Sequence, residues 1–487
     1  MKKSLLLISS VLACSAVFAQ KPIYRTGLIE DKEAYQRIPL KVTLLKRNYT
    51  ALPSSVSLRQ YCPPAASQGD HGTCTAWSTT FAARTIAEAV KWDWTDPKVI
   101  KEEAFAPIFV YTEVKGGSDP TCQRGIAIDK ALNVLKEKGA PKLRNFNTQC
   151  EDQIPAWIRE EAKDYKIDSY CRLFGYDLPT KDFKIKTVKK ALAGKNPVVI
   201  SMHLPESFFE PLGDVWERGP FNISNAPAYH AMCVIGYDDD KAGGAFEIMN
   251  SWGNNWGNKG FRWVKYSDFA EFVDFAFEMR VKKAVKEEKI DEPKPLPTPK
   301  PKPIVVEELS QLSAEMYIQL STGEILSPQL SWDNLPVYKI KKKLMSGTRY
   351  NIYVSNKEPA YAYIIGSDLD RNVNQLFPPE GENISPVLDA ADDFALPSED
   401  LYYEMDENEG KDYLLMLFSA KELPNGDIQN ISHNLKTGRG SFPDMAIKAL
   451  KKQNFEINAS SFSREKIAFS ATTKGGIVPL IIELTHK

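Results

Sequence analysis

Past its first 20 residues, the 487-residue sequence has no apolar run approaching the roughly 18 residues that a membrane-spanning helix needs. It also lacks charge of one sign. A net charge of -1 gives no electrostatic reason for capture by nucleic acid or by an acidic membrane. Histidine is scarce: of five in the chain, only His71, His203 and His230 lie in the N-terminal half. Cysteine stops at Cys233, which excludes disulfides and thiol chemistry from the rest. No internal repeat is evident, so a solenoid is excluded. What is present, 43% hydrophobic and 26% charged residues, describes a globular protein of two or three domains.

The N-terminus, MKKSLLLISSVLACSAVFAQ, has two lysines, an apolar stretch, and small Val17 and Ala19 at the −3 and −1 positions of a cleavage site. This pattern predicts a secretory signal peptide over residues 1–19, hence export to periplasm, cell surface or medium. Lipidation of Cys14 is a rival reading, disfavoured by the bulky Leu12 and the short apolar region before it. Six cysteines then remain: Cys62, Cys74, Cys122, Cys150, Cys171 and Cys233. An oxidising compartment permits bridges among them, and the count alone leaves connectivity open.

Residues 291–303, DEPKPLPTPKPKP, alternate proline from Pro293 to Pro303 and can form neither helix nor central strand. The run predicts a polyproline spacer on the order of 40 Å long. The expected organisation is an extension over 20–54, a domain over 55–284, a linker over 285–304 and a module over 305–487. Residues 74–90 carry a helical apolar stripe with Thr73 as N-cap, and IAIDKALNVLKEKG predicts a second helix. PVVISMHL, HAMCVIGYDD, AFEIMNSW and GFRWVKY read as strands, so the first domain is α+β with two halves. Beyond the linker the pattern is mainly strand, with one helix near DMAIKALKKQ. Asp368 opens a faintly calcium-like stretch, but Val373 and Pro379 stand where glycine and glutamate belong; a hairpin turn is the better reading. No metal or cofactor is expected.

The chemistry concentrates in QGDHGTCTAWS, residues 68–78. Cys74 stands where a glycine-punctuated loop becomes a helix, and helix-terminal amides favour thiolate over thiol. Gln68 offers an amide donor which, with the Cys74 N–H, could hold a developing oxyanion. A base must be histidine. His71 lies on the same loop as Cys74, and His203 ends an apolar strand where a structural role fits better. His230 opens the strand HAMCVIGYDD, and Asn250 follows 20 positions later (250 − 230). An asparagine amide there could accept the Nδ1 proton and fix the ring, with Trp252 shielding that bond.

Together, Q-G-x-x-G-x-C-x-A-W at 68–77, H-A-M-C-V-I-G-Y at 230–237 and N-S-W-G-x-x-W-G-x-x-G-F at 250–261 resemble the papain-like cysteine peptidases over residues 55–280. The resemblance implies a helical lobe facing a barrel-like lobe. It also implies Cys74 as nucleophile, His230 as acid and base, Asn250 as orienter, Gln68 as oxyanion donor and Trp252 as shield. Cys122-Gln123-Arg124-Gly125 matches the family's substrate-pairing glycine stretch, with Gly125 as the pairing position and Arg124 as a departure. His71 stands where the family has a cysteine, so Cys122 loses its usual partner. Cys150 has lost its partner too, and the resemblance suggests a Cys122–Cys150 bridge. Cys62 with Cys171 is a further guess, and Cys233 a buried free thiol.

The extension is short and shows no helical propeptide pattern, so its deletion is expected not to raise activity. Residues 305–487 resemble a domain of unknown function attached to bacterial exported and signalling enzymes, here a binding or positioning module for an unidentified partner. The implied function is an exported peptidase, monomeric, acting on proteins or peptides through an acyl-enzyme. The alternatives are a non-catalytic binding protein on the same scaffold and an enzyme that cuts cell-wall peptides or transfers acyl groups.

Overall fold

The structure, a computed structural model, describes residues 24–176, 180–210, 213–219, 228–281, 310–368, 372–458 and 460–487. The predicted signal peptide, Cys14 and the proline-rich linker lie outside the described residues.

Residues 74–92 form one helix with an unusual middle: α over Cys74–Ala76, π over Trp77–Arg84, and α again over Thr85–Trp92. Ser78 and Thr79 donate their hydroxyls back to the Thr75 carbonyl at 3.0 and 2.8 Å. Such side chains compete with amides for helical acceptors, which suits a widened turn, and π segments often lie at functional sites. Thr73 occupies the N-cap position as expected, yet its hydroxyl makes no capping bond. Ile128–Glu137 supplies the second helix of this lobe.

The other lobe is an antiparallel sheet. Its strands are β1 (Ser55–Ser57), β2 (Ser169–Phe174), β3 (Val198–Leu204), β4 (Ala228–Asp238), β5 (Ala245–Met249), β6 (Phe261–Lys265) and β7 (Val273–Arg280). They run in the order β2-β7-β3-β4-β5-β6, with β1 paired to β4 and β2 at the edge. Most of β3, β4 and β5 is buried on both faces, which is why these strands read as continuous apolar runs rather than as alternation. Both lobes share one apolar core. The domain is α+β, as expected.

Residues 310–487 stack in three layers. Along the strand Ala360–Ser367, Tyr361, Tyr363 and Ile365 face two helices, while Ala360, Ala362 and Ile364 face a second sheet. That is the two-residue period of a strand buried on both sides. Two helices are present where one was expected: Asn425–Thr437 precedes Phe442–Lys452. Ile428, Ile431 and Leu435 form its buried stripe, diluted in the sequence by Asn, Ser and His.

Cys122 and Cys150 are bonded, 28 residues apart in sequence. Closing a loop of that size stabilises the fold by roughly 3–4 kcal/mol on a chain-entropy account. Cys62 and Cys171 are free, which corrects the second pairing. The Cys62 thiol points at the Leu58 carbonyl of its own turn, and the Cys171 thiol at Glu278 on the neighbouring strand, both at 3.5 Å. Cys233 is free and buried.

The described part of the extension, from Tyr24, carries helices, Lys32–Gln36 and Lys46–Thr50. Asp31 caps the first through a 2.9 Å bond from the Ala34 amide. Between them Leu40 bridges Arg172 of β2 on one side and Ile384 of the C-terminal module on the other.

Candidate active site

Cys74 opens the 74–92 helix, so the Cys74 and Thr75 amides point at its sulfur, and the Ala231 amide approaches from β4. Ala231 directly follows His230. Antiparallel pairing of β4 with β5 returns the chain to this strand, and Asn250 comes immediately after β5. His230 Nε2 and Asn250 Oδ1 are 2.8 Å apart. The nitrogen is the opposite of the one expected. Asn250 Oδ1 also accepts the Ser251 amide at 2.7 Å, which pins the side chain against the Nε2 edge of the ring. Because that oxygen can only accept, the ring proton sits on Nε2. Nδ1 is then a bare base, with no hydrogen-bond partner among the described residues.

The loop carrying Gln68 is laced to the loop carrying Asn250. Gln68 N donates to Ser251 O at 2.8 Å and Gly253 N to Ala66 O at 3.1 Å. Ser251 Oγ donates to Gln68 Oε1 at 2.6 Å, and Gln68 Nε2 donates to the His71 carbonyl at 2.7 Å. Trp252 stacks on the His230 ring at 4.6 Å, over the predicted bond. Gly72 N bonds Cys122 O at 2.7 Å, tying the Cys74 loop to the glycine stretch. The structure thus gathers Cys74, His230, Asn250, Gln68, Trp252 and Gly125 around one cleft. His71 is half-buried and bonds Thr121 O; His203 pairs with Asp274 and packs at a tilt against Tyr229.

The cleft is filled by the extension. Leu28 bridges Ile126 in parallel sense, with Ile126 N to Gly27 O at 3.1 Å and Ile29 N to Ile126 O at 3.3 Å. Gly27 is wedged between backbones: a Cβ there would lie 2.1 Å from Gly72 O, and one on Gly125 would lie 2.0 Å from Gly27 O. Tyr24 stacks on Trp252 at 4.8 Å, and Trp252 Nε1 donates to Arg25 O at 2.8 Å. Tyr35, fully buried, anchors the segment through its hydroxyl on Ile29 O and Ile128 N. Cys74 and His230 are both 0% exposed. The extension thus docks along the glycine stretch and Trp252. An irregular strand, rather than a helical propeptide, covers the site.

Closure changes the electrostatics. Burial pushes the Cys74 thiol up to about 12, against the pull of the Ala231 and Thr75 amides. Burial also pushes His230 down to about 4, against the bond to Asn250. In the closed site burial therefore favours a thiol and a neutral imidazole.

Glu30 occupies a polar side pocket. It accepts from Ser201 Oγ at 3.1 Å and from the Tyr176 hydroxyl at 3.4 Å, and it also bonds Tyr229. Burial raises its carboxyl, the nearby Asp274 adds to this, and Lys32 opposes it. A carboxyl raised in the docked state favours docking at low pH and loses that stability as pH rises through the docked value. Alkylation of Cys74 should accordingly accelerate as pH rises from the ordinary carboxylate range toward neutrality. In a Glu30→Gln variant the same measurement should show a flatter rise and slower alkylation at neutral pH.

Tyr24, Gly27, Glu30 and the Ala231 amide were not foreseeable from sequence. YRTGLIE has neither helical nor strand periodicity, and a backbone amide has no sequence signature.

Residues 52–272 match the model of the papain family cysteine proteases, and residues 343–422 match a domain of unknown function (DUF4384). Among curated proteins, an uncharacterized peptidase C1-like protein of Acanthamoeba polyphaga mimivirus is 31% identical over 24% of this chain and 38% of its own. Cathepsin K of Mus musculus is 27% identical over 43% of this chain and 59% of its own. The chain thus spans less than two thirds of either relative's length. Among solved structures, xylellain, a cysteine protease from Xylella fastidiosa, is 23% identical with a TM-score of 0.42, covering 53% of this chain and 95% of that one.

Proposed function

We propose that the protein is an exported cysteine peptidase made in latent form, hydrolysing protein or peptide substrates through Cys74, His230 and Asn250. One observation carries the reading: the Cys74 sulfur lies among three amides at a helix start, one of them from Ala231, the residue after His230, whose Nδ1 is bare and whose Nε2 is held by Asn250. In the opened cleft, Nδ1 takes the thiol proton and the sulfur attacks the scissile carbonyl. The oxyanion that forms receives the Cys74 amide and a Gln68 Nε2–H. Protonated His230 then gives its proton to the leaving amine as the C–N bond breaks, leaving a thioester. Water, deprotonated at Nδ1, attacks the thioester and restores the thiol.

Gly125 is the backbone position on which an extended substrate pairs; in the closed chain Gly27 crowds it and Leu28 pairs with the adjoining Ile126. The domain limits 55–284 and 305–487, the signal peptide over 1–19 and action as a monomer belong to the same reading. Export is supported by the Cys122–Cys150 bridge, since such bonds persist in oxidising compartments. The test is covalent labelling by a peptidyl epoxide, located by peptide mapping, in a chain whose cleft has been opened. Adduct at Cys74, together with cleavage of a peptide library, supports the reading; an open chain that neither labels nor cleaves defeats it.

A further inference from the structure

We propose that the C-terminal module is the anchor of the inhibitory segment, so that it sets the peptidase's latency by gripping residues 40–48 of the extension. This rests on the latent-peptidase reading above. The grip is built on two sides of one short stretch. Toward the catalytic domain, Arg172 N bonds Pro39 O and Lys41 N bonds Arg172 O, both at 2.8 Å. Toward the module, Leu40 N bonds Asn383 O and Ser385 N bonds Leu40 O, both at 2.7 Å. The stretch is therefore a one-residue strand shared between β2 and the module.

A buried ionic knot follows immediately. Lys41 Nζ, 9% exposed, bonds Glu278 of β7 at 2.8 Å and also bonds Asp389 of the module. Arg280 of β7 bonds Asp389 as well, and donates to Leu388 O at 2.8 Å. One carboxylate of the module thus holds two cations, one from the extension and one from the peptidase sheet. The grip continues outward through polar contacts to the module. Leu45 N bonds Asp393 O at 2.8 Å, and Arg47 Nε bonds the Asp393 carboxylate at 2.8 Å. Asn48 exchanges bonds with the Ala391 carbonyl at 2.8 Å and the Asp393 amide at 3.2 Å.

Between this grip and the cleft lies the capped helix Lys32–Gln36, itself rooted in the peptidase core by Tyr35. Fixing residues 40–48 therefore holds Gly27 and Glu30 at their stations and makes re-docking after each opening a local event of high effective concentration. A released grip lengthens the free tether and increases the entropy gained on opening.

The experiment uses full-length protein and follows the rate at which a peptidyl epoxide labels Cys74. Arg47→Ala with Asn48→Ala removes module contacts that no peptidase residue shares, at side chains exposed enough to leave folding intact. Labelling at least fivefold faster than parent is expected, and Asp393→Ala should reproduce much of it. Lys41→Met should accelerate labelling further. Gly27→Val opens the cleft with the grip intact and serves as reference. If the grip variants label at the parental rate while Gly27→Val labels fast, the anchor role is overturned and the peptidase reading stands. If Gly27→Val does not label either, both fall together.

Discussion

A chain lacking residues 20–30 should hydrolyse peptides at least about a hundredfold faster than the chain that keeps them. The estimate follows from what the segment loses on leaving. Backbone bonds to Ile126 and the bond from Trp252 Nε1 to Arg25 O are worth about 1 kcal/mol each, and Tyr24 on Trp252 adds about 1 more. A total of roughly 3–4 kcal/mol corresponds to two to three powers of ten in the open population. Gly27→Val should do the same in the intact chain. Its Cβ would fall on the Gly72 carbonyl, backbone that cannot step aside, so the segment must leave instead. Steady-state rates on one fluorogenic peptide, parent against the two variants, measure the effect. Equal rates in all three would mean that the segment does not govern access.

In the Gly27→Val background, Cys74→Ala should lower the rate by at least about ten thousandfold and His230→Ala by a similar factor, the scale seen when a nucleophile–base pair loses a member. Their effects should not multiply in the double variant, because the two act as a unit. The pH profile adds a signature that simple misfolding would not produce. In the parent, burial pushes Cys74 up to about 12 and His230 down to about 4, so beyond the rise linked to Glu30 thiol alkylation should keep growing toward alkaline pH. Opening the cleft readmits water, lifts both desolvation effects, and lets the thiol and imidazole exchange a proton. Alkylation of Gly27→Val should therefore become fast at or below neutral pH. A profile that stays alkaline after opening would mean that His230 does not ionise Cys74.

The site's residues were legible because each sits in a short stretch whose backbone and side chains serve one purpose. Gln68 through Cys74 is such a stretch, and Asn250 with Trp252 is another. What sequence could not supply was orientation: which nitrogen of His230 faces Asn250 depends on the Ser251 amide that pins the Asn250 oxygen. Nor could it supply partners distant in the chain. Cys62 and Cys171 looked available for pairing, but one sits in a turn beneath β1 and the other on the sheet's edge strand. The strands β2 and β7 and the helix Lys181–Ala193 carried weaker patterns than their neighbours and went unnamed. The docking of the extension was illegible for a physical reason. A segment that docks through main-chain bonds and one glycine needs no periodic side chains, and periodicity is what sequence reading detects.

The bridge at Leu40 also matters once the extension has gone. β2 ends the peptidase sheet, and the extension is what satisfies its outward amide and carbonyl at Arg172. An activated molecule that sheds this cover bares a sheet margin able to recruit a strand from another copy, so colloidal stability and latency are purchased by the same few residues.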